Sequence, residues 1–247
     1  KGEFYFANTK KKIIDISSEF EFLIPDTIKS FNWKKSMKWS NYDLNWGRPL
    51  RSIIALFDYK LVNFDFFHLK SNCLTYIEDA AGEKQKKVKN FASYLSILKT
   101  QKIVLDQEER KKIIIKKFNS FCYQKKYKNN FSEKLIEEVV NLVERPNVIV
   151  GKFDEIYLKV PKEILIITMQ QHQKYFPLFN EKNELTNLFL LVANLPDVKG
   201  YIKTGNQRVI EARLSDAKFF WEKNKNQNLV KQVSKLKELT FFKKLGT

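Results

Sequence analysis

Residues 209–224, VIEARLSDAKFFWEKN, have the spacing of an amphipathic helix. One side of this predicted helix carries an apolar stripe formed by Ile210, Leu214, Ala217 and Trp221. Arg213 lies at the border of the stripe, and Asp216 follows three residues later, a spacing at which two helical side chains can meet. We therefore predict a structural ion pair between Arg213 and Asp216 that fixes the helix against a neighbouring element.

The segments before this helix alternate between strand and helix patterns. Strands are predicted for NVIVGKF, KYFPLF and NLFLLVAN, and helices are predicted after the capping residues Asp106 and Ser132. The fold class is therefore α+β: a mixed-strand domain with packed helices, followed by a helical section. We place a leading strand and helix in residues 1–45, the mixed domain in 46–202, and the helical section in 203–247, which we expect to continue into a missing downstream region.

Several local predictions concern less regular stretches. A strand is predicted for residues 3–9 and a helix for residues 229–239. An amphipathic helix over about residues 16–31 is expected to be interrupted at Pro25. Residues 78–90, EDAAGEKQKKVKN, have the polar, glycine-containing composition of a loop.

The positive charge of the chain has two possible interpretations. Lys and Arg number 45 against 28 Asp and Glu, which gives a net charge of +17. Such a charge suits a polyanion such as nucleic acid. However, Lys greatly outnumbers Arg, and a compositional Lys bias raises the charge without creating a binding site.

The residue types needed for catalysis are scarce. The two histidines and two cysteines (His68, His172, Cys73 and Cys122) do not have the spacing of metal ligands. Residues 200–207, GYIKTGNQ, have the first spacing of a phosphate-binding loop but lack its Lys and Ser or Thr. We therefore predict no catalytic residue, no metal site and no cofactor bound by this chain.

Two short stretches have the composition of a recognition site. Lys174 and Tyr175 occupy a predicted helix-to-strand junction, where a cation and an aromatic ring could face a phosphate and a base. Asn206 and Arg208 surround the predicted start of the last helix, and a helix start can bind an anion. The alternatives are that Tyr175 is a core residue and that Asn206 only caps the helix.

Several longer motifs together resemble the β subunit of the bacterial two-subunit glycyl-tRNA synthetase. They are, in chain order, KSMKW, GRPLRSIIAL, LIEEVVNLVERPNVIVGKF, VPKEILIITMQQHQKYFPLF, NLFLLVAN, GNQRVIEARLSDAKFFWEKN and LKELTFFKKLGT. The resemblance covers about residues 1–247 and identifies the chain as a fragment from the amino-terminal and middle portion of that longer subunit. Around residues 74–90 the chain departs from the family, because the usual Gly-His-Arg-Phe element is missing.

The resemblance implies a division of work between two subunits. The α subunit of the family forms glycyl-adenylate from glycine and ATP, so ATP and Mg²⁺ are expected there, whereas the β subunit binds the tRNA for glycine within an α₂β₂ assembly. Lys174, Tyr175, Asn206 and Arg208 then become candidate tRNA contacts. Arg213 and Asp216 keep their structural role, with direct tRNA contact as the alternative.

Two other functions remain open at this point. A stand-alone basic RNA-binding module would have the same charge, and a scaffold subunit would use its apolar faces to pack against a partner. The chain has no run of about 18 apolar residues. We expect a cytoplasmic protein with reduced cysteines and no membrane contact.

Overall fold

The computed structural model describes Glu3, Tyr5, residues 15–79, 82–225 and 227–228, Val230 and Val233. The strand predicted for residues 3–9 and the helix predicted for residues 229–239 lie outside the described residues, apart from isolated positions. The chain forms two compact units, Lys1–Lys102 and Ile103–Thr247. This division differs from the boundaries expected after residues 45 and 202.

The described residues of the first unit form two helices and nine short strands. In chain order these elements are α1 (Ile16–Lys29), β1 (Met37–Lys38), β2 (Asn45–Trp46), β3 (Ile53–Ile54), β4 (Leu56–Phe57), β5 (Lys60–Leu61), β6 (Asp65–Phe66), β7 (Leu69–Asn72), β8 (Leu74–Asp79), β9 (Gly82–Lys87) and α2 (Phe91–Thr100). Strands β3, β7 and β6 form one small sheet, and the pairs β1–β2, β4–β5 and β8–β9 are antiparallel.

The core of the first unit lies between α1 and the short strands. Its buried residues are Leu44, Ala55, Val62, Phe64 and Phe66, and residues of α1 pack against them. The hydroxyl of Ser71 is also buried there, and it donates to the Val62 carbonyl (2.7 Å) and accepts from the Phe64 amide (2.9 Å). Because both hydrogen bonds are made inside the core, they fix β7 against the segment between β5 and β6.

Two local predictions in the first unit are wrong. Helix α1 continues through Pro25, which is buried in the helix, so the helix is not interrupted there. Residues 82–87 of the predicted loop form β9 and pair with β8. The described side chains of β9 are all exposed, so its backbone pairing leaves no alternation of apolar and polar residues in the sequence.

The second unit is built around one antiparallel sheet. Its elements are α3 (Gln107–Lys125), β10 (Lys128–Asn129), α4 (Glu133–Val140), β11 (Asn147–Lys152), a 3₁₀ turn (Glu155–Lys159), α5 (Lys162–Ile167), a π-helical turn (Thr168–His172), β12 (Phe176–Phe179), β13 (Leu185–Ala193) and α6 (Tyr201–Lys225). The strand order is β10–β12–β13–β11.

Both faces of this sheet are covered by helices. Phe176, Leu178 and Leu190 share one apolar cluster with buried residues of α3 and α4. Phe189 and Leu191 share the other with residues of α5, the π-helical turn and α6. Successive residues of a strand point to opposite faces, so β13 supplies both clusters. The fold class is α+β, as predicted, and α6 belongs to the same core as the sheet.

Candidate nucleic-acid interface

The junction between the π-helical turn and β12 turns Tyr175 into the protein. Lys174 has a left-handed backbone conformation (φ 58°), and the Tyr175 amide donates to the Met169 carbonyl (2.9 Å). Tyr175 is 4% exposed, and its ring stacks on Phe189 with 4.7 Å between the ring centroids. In this structure the Tyr175 ring therefore offers no free face to an RNA base.

The hydroxyl of Tyr175 connects the sheet to α6. It donates a hydrogen bond to Asn206 Oδ1 (2.5 Å), and Asn206 Nδ2 donates to the Ile202 carbonyl (2.7 Å). Burial raises the pKa of Tyr175 to about 12, because the ionised phenol would lose its hydration. The neutral hydroxyl is thus held in the donor role, and both polar ends of Asn206 are used within the protein.

Lys174 points toward α4 and forms an ion pair with Glu138 (2.5 Å between Nζ and Oε2). The hydrogen bond from Lys174 keeps the pKa of Glu138 below its ordinary value, with a smaller opposing effect from desolvation. Both side chains remain partly exposed to solvent. A phosphate that binds Lys174 would have to share it with this carboxylate.

The start of α6 differs from the prediction. The helix begins at Tyr201, so Asn206 and Arg208 lie in its second turn and third turn rather than around its first residue. Two amides of the first turn, those of Ile202 and Lys203, donate to the carboxylate oxygens of Asp197 (2.9 Å each). The predicted position of the helix start is therefore wrong, because the helix begins at Tyr201 and the carboxylate of Asp197 already accepts hydrogen bonds at its amino-terminal end.

The predicted apolar stripe of α6 is confirmed. Ile210 and Leu214 are fully buried, and Trp221 packs against the same cluster. Arg213 and Asp216 are both exposed, and among the described residues no ion pair joins them to each other. Arg208 is exposed as well. Of the four residues predicted to contact RNA, Arg208 is the one whose side chain extends into solvent without an ion-pair partner among the described residues.

Groups that could perform catalysis are sparse in the described part of the chain. No cluster of three or more His, Cys, Asp and Glu side chains there could hold a metal ion. Cys73 and Cys122 are not joined by a disulfide. Residues 200–207, which had one spacing of a phosphate-binding loop, belong almost entirely to α6 and form no loop. No described helix has the length and apolar composition required to cross a bilayer.

The sequence interpretation missed one group of exposed side chains. The exposed rings belong to the first unit, and several lysines lie close to them in the sequence; the rings are Phe31, Trp33, Trp39 and Tyr42. The available signal was the interleaving of Trp and Lys in WKKSMKW, which is the composition of a surface that stacks bases.

Comparison with known proteins identifies the family. The family model described as glycyl-tRNA synthetase beta subunit matches residues 1–247. The chain belongs to this family. Among glycyl-tRNA synthetase β subunits, the glycine–tRNA ligase beta subunit of Clostridioides difficile is 38% identical over 248 residues, which is all of this chain and 36% of that relative.

Other β subunits show the same partial coverage. The glycine–tRNA ligase beta subunit of Dictyoglomus thermophilum is 33% identical over all of this chain and 36% of its own length. That of Rickettsia akari is 34% identical over 98% of this chain and 37% of its own length. The chain thus spans little more than a third of the curated β subunits that it matches.

Proposed function

We propose that this chain is part of a tRNA-engaging, non-catalytic β subunit of a cytoplasmic glycine–tRNA ligase. The observation that carries the proposal is the match of the whole chain to the β-subunit family. The net charge of +17 supports contact with a polyanion.

The partner in this proposal is a separate α subunit within an α₂β₂ assembly. We expect the α subunit to hold ATP and Mg²⁺ and to activate glycine. The β subunit would bind the tRNA for glycine and bring its acceptor end to the activated amino acid. Holding two reactants together in this way removes much of the entropic barrier to their reaction.

Arg208 is the most direct candidate for a tRNA contact in α6. Its guanidinium is exposed and could reach a phosphate with two parallel hydrogen bonds. Three other predicted residues have a structural role near α6. The ion pair of Lys174 and the hydrogen bond between Tyr175 and Asn206 connect α4, the sheet and α6. In this proposal these three residues position the surface that Arg208 presents.

A charging assay tests the function. The full-length β subunit that contains this chain is combined with its α subunit, glycine, ATP and the tRNA for glycine, and the formation of glycyl-tRNA is measured with and without the β subunit. Charging that requires both subunits supports the proposal. Equal charging by the α subunit alone would refute it and leave a stand-alone RNA-binding module as the better account.

The Arg208 contact is tested by tRNA binding at several salt concentrations. Arg208→Ala should weaken binding and lower the salt dependence by about one unit of slope, because one phosphate no longer meets a cation. Arg213→Ala is the matched control, since Arg213 is also an exposed arginine of α6 but lies on a different side of the helix. Equal losses in both variants would show a diffuse charge effect rather than a contact at Arg208.

A further inference from the structure

Aromatic residues are concentrated between α1 and β3. Three of the four tryptophans, Trp33, Trp39 and Trp46, lie within residues 31–46. The segment folds back on itself through the short pair β1–β2, in which Met37 lies opposite Trp46. Lys38 bridges the turn by an ion pair with Asp43 (2.9 Å). These interactions give the segment a defined shape despite the short length of its strands.

Four exposed rings of this segment, which we call the aromatic surface, lie in two contacting pairs: Phe31 with Trp33 (6.2 Å between ring centroids) and Trp39 with Tyr42 (5.8 Å). Each of these side chains is between 39% and 51% exposed. Soluble proteins rarely leave several large aromatic side chains exposed side by side unless the patch binds something.

The rings of the aromatic surface are supported from the protein side. Trp33 packs against Trp46 with 4.9 Å between ring centroids, and Trp46 contacts the buried Phe66. Tyr42 stacks on His68 with 3.6 Å between centroids and only 10° between the ring planes. The rings are therefore held in place before any ligand binds, so their ordering costs little entropy on binding.

His68 contributes to this support through its flat face. Neither of its ring nitrogens has a hydrogen-bond partner among the described residues. Trp39 lies beside both rings, 5.8 Å from Tyr42 and 6.4 Å from His68. Trp39 and Tyr42 are 46% and 39% exposed, so part of each ring remains available for contact with another flat group.

The segment that carries the aromatic surface is positively charged. Residues 30–48 contain four basic residues and one acidic residue, Asp43, which is paired with Lys38. Lys34, Lys35 and Arg48 are exposed and have no ion-pair partner among the described residues. An apolar protein partner would cover these cations without supplying negative charge to pair with them, whereas a chain of phosphates supplies it.

We infer that the aromatic surface, together with Lys34 and Lys35, binds unpaired nucleotides of RNA by stacking bases on its rings. Exposed rings next to unpaired cations match the two chemical features of a single strand, the flat base and the phosphate. A paired stem would contact the cations but would not present its stacked bases to the rings. The inference rests on the proposed function in one respect, since the unpaired nucleotides would be those of the bound tRNA.

The experiment uses the complete β subunit in complex with its α subunit. The probe is a labelled single-stranded RNA of about eight nucleotides, and a duplex of the same length is measured in parallel. Trp39→Ala should weaken single-strand binding by roughly 5- to 150-fold, the effect of losing one stacked base, and should change duplex binding much less. Trp39→Phe should retain most of the single-strand affinity, because the flat ring is kept.

Two controls separate stacking from charge and from general exposure of aromatic residues. Tyr123→Ala removes a ring of α3 that is 88% exposed and also has lysines nearby, so single-strand affinity should stay unchanged. Replacing Lys34 and Lys35 by Ala should lower the salt dependence of single-strand binding by about 0.7 for each phosphate that no longer meets a cation.

Three outcomes would overturn the inference. If Trp39→Ala and Tyr42→Ala bind the single strand with wild-type affinity, bases do not stack on the aromatic surface. If the same variants lose binding to the α subunit but keep their RNA affinity, the aromatic surface is a protein interface. If Trp39→Ala weakens duplex binding as much as single-strand binding, the rings do not select unpaired nucleotides.

The charging assay separates this inference from the proposed function. If the β subunit is dispensable for charging but Trp39→Ala no longer binds the single-stranded RNA, the proposed function is refuted and the inference about the aromatic surface is supported. If charging needs the β subunit and Trp39→Ala binds normally, only the aromatic surface is refuted.

Discussion

Gly151 in β11 allows the Phe189 ring to lie directly over the backbone of the neighbouring strand. The two residues face each other across the β11–β13 pair. A Cβ atom added at Gly151 would overlap the Phe189 ring, at 2.6 Å from Cε2 and 2.7 Å from Cε1. The ring has little room to move, because it is fully buried and stacks on Tyr175.

Gly151→Ala should therefore destabilise the protein by steric overlap. Overpacking of this kind costs about 1–3 kcal/mol. For a chain of this size, the loss corresponds to a fall in Tm of roughly 2–12 °C. Thermal unfolding followed by circular dichroism measures the change.

Gly205→Ala provides a matched control with the opposite expected sign. Gly205 lies in α6, and an added Cβ would meet no atom within 4 Å. Alanine is favoured over glycine inside a helix by roughly 0.5–1 kcal/mol, so the Tm should rise slightly. Adding Phe189→Leu to Gly151→Ala should recover part of the loss, because the smaller side chain relieves the overlap. A Gly151→Ala variant as stable as the wild type would refute this account of the sheet.

Three further predictions concern the side-chain interactions of the second unit. Asp197→Ala should cost about 0.5–2 kcal/mol in thermal unfolding, because the cap of α6 is removed; an unchanged Tm would contradict that role. Tyr175→Phe should be less stable than the wild type at neutral pH. The folded protein retains the Tyr175 proton up to a pKa of about 12, whereas the unfolded chain releases it near pH 10. The wild type therefore loses stability between those values, and its advantage over Tyr175→Phe should shrink, which chemical denaturation across that range would detect. The lowered pKa of Glu138 means that its pairing with Lys174 stabilises the fold above the ordinary value of 4.5 and is lost as the pH falls through the lowered pKa. The stability difference between wild type and Glu138→Gln should disappear in the same acid range, and a difference independent of pH would contradict the ion pair.

The sequence predicted features that depend on near neighbours along the chain. Asp106 and Ser132 cap α3 and α4 as expected. Ile210 and Leu214 face the core, because helical periodicity is set by the backbone itself. The family was also predicted from the order of the motifs, and the family match covers the same residues.

Features without a regular pattern of apolar residues were predicted less well. The start of α6 is fixed by Asp197, which lies before the expected boundary and captures two amides of the first turn. The polar strand β9 forms through its backbone pairing with β8 and has no apolar face that a sequence pattern could show. The aromatic rings near β1 are typical of core residues by composition, but the structure leaves them exposed.

The sequence by itself thus determined the α+β class, the caps, the apolar stripe of α6 and the family, since each is written in residues that are close together or in a fixed order. The tertiary structure decided which polar side chains remain available for recognition. Tyr175 meets Phe189 and Asn206, Lys174 meets Glu138, and Arg208 extends into solvent. These partners lie far apart in the chain, and only packing of the sheet between its helices brings them together.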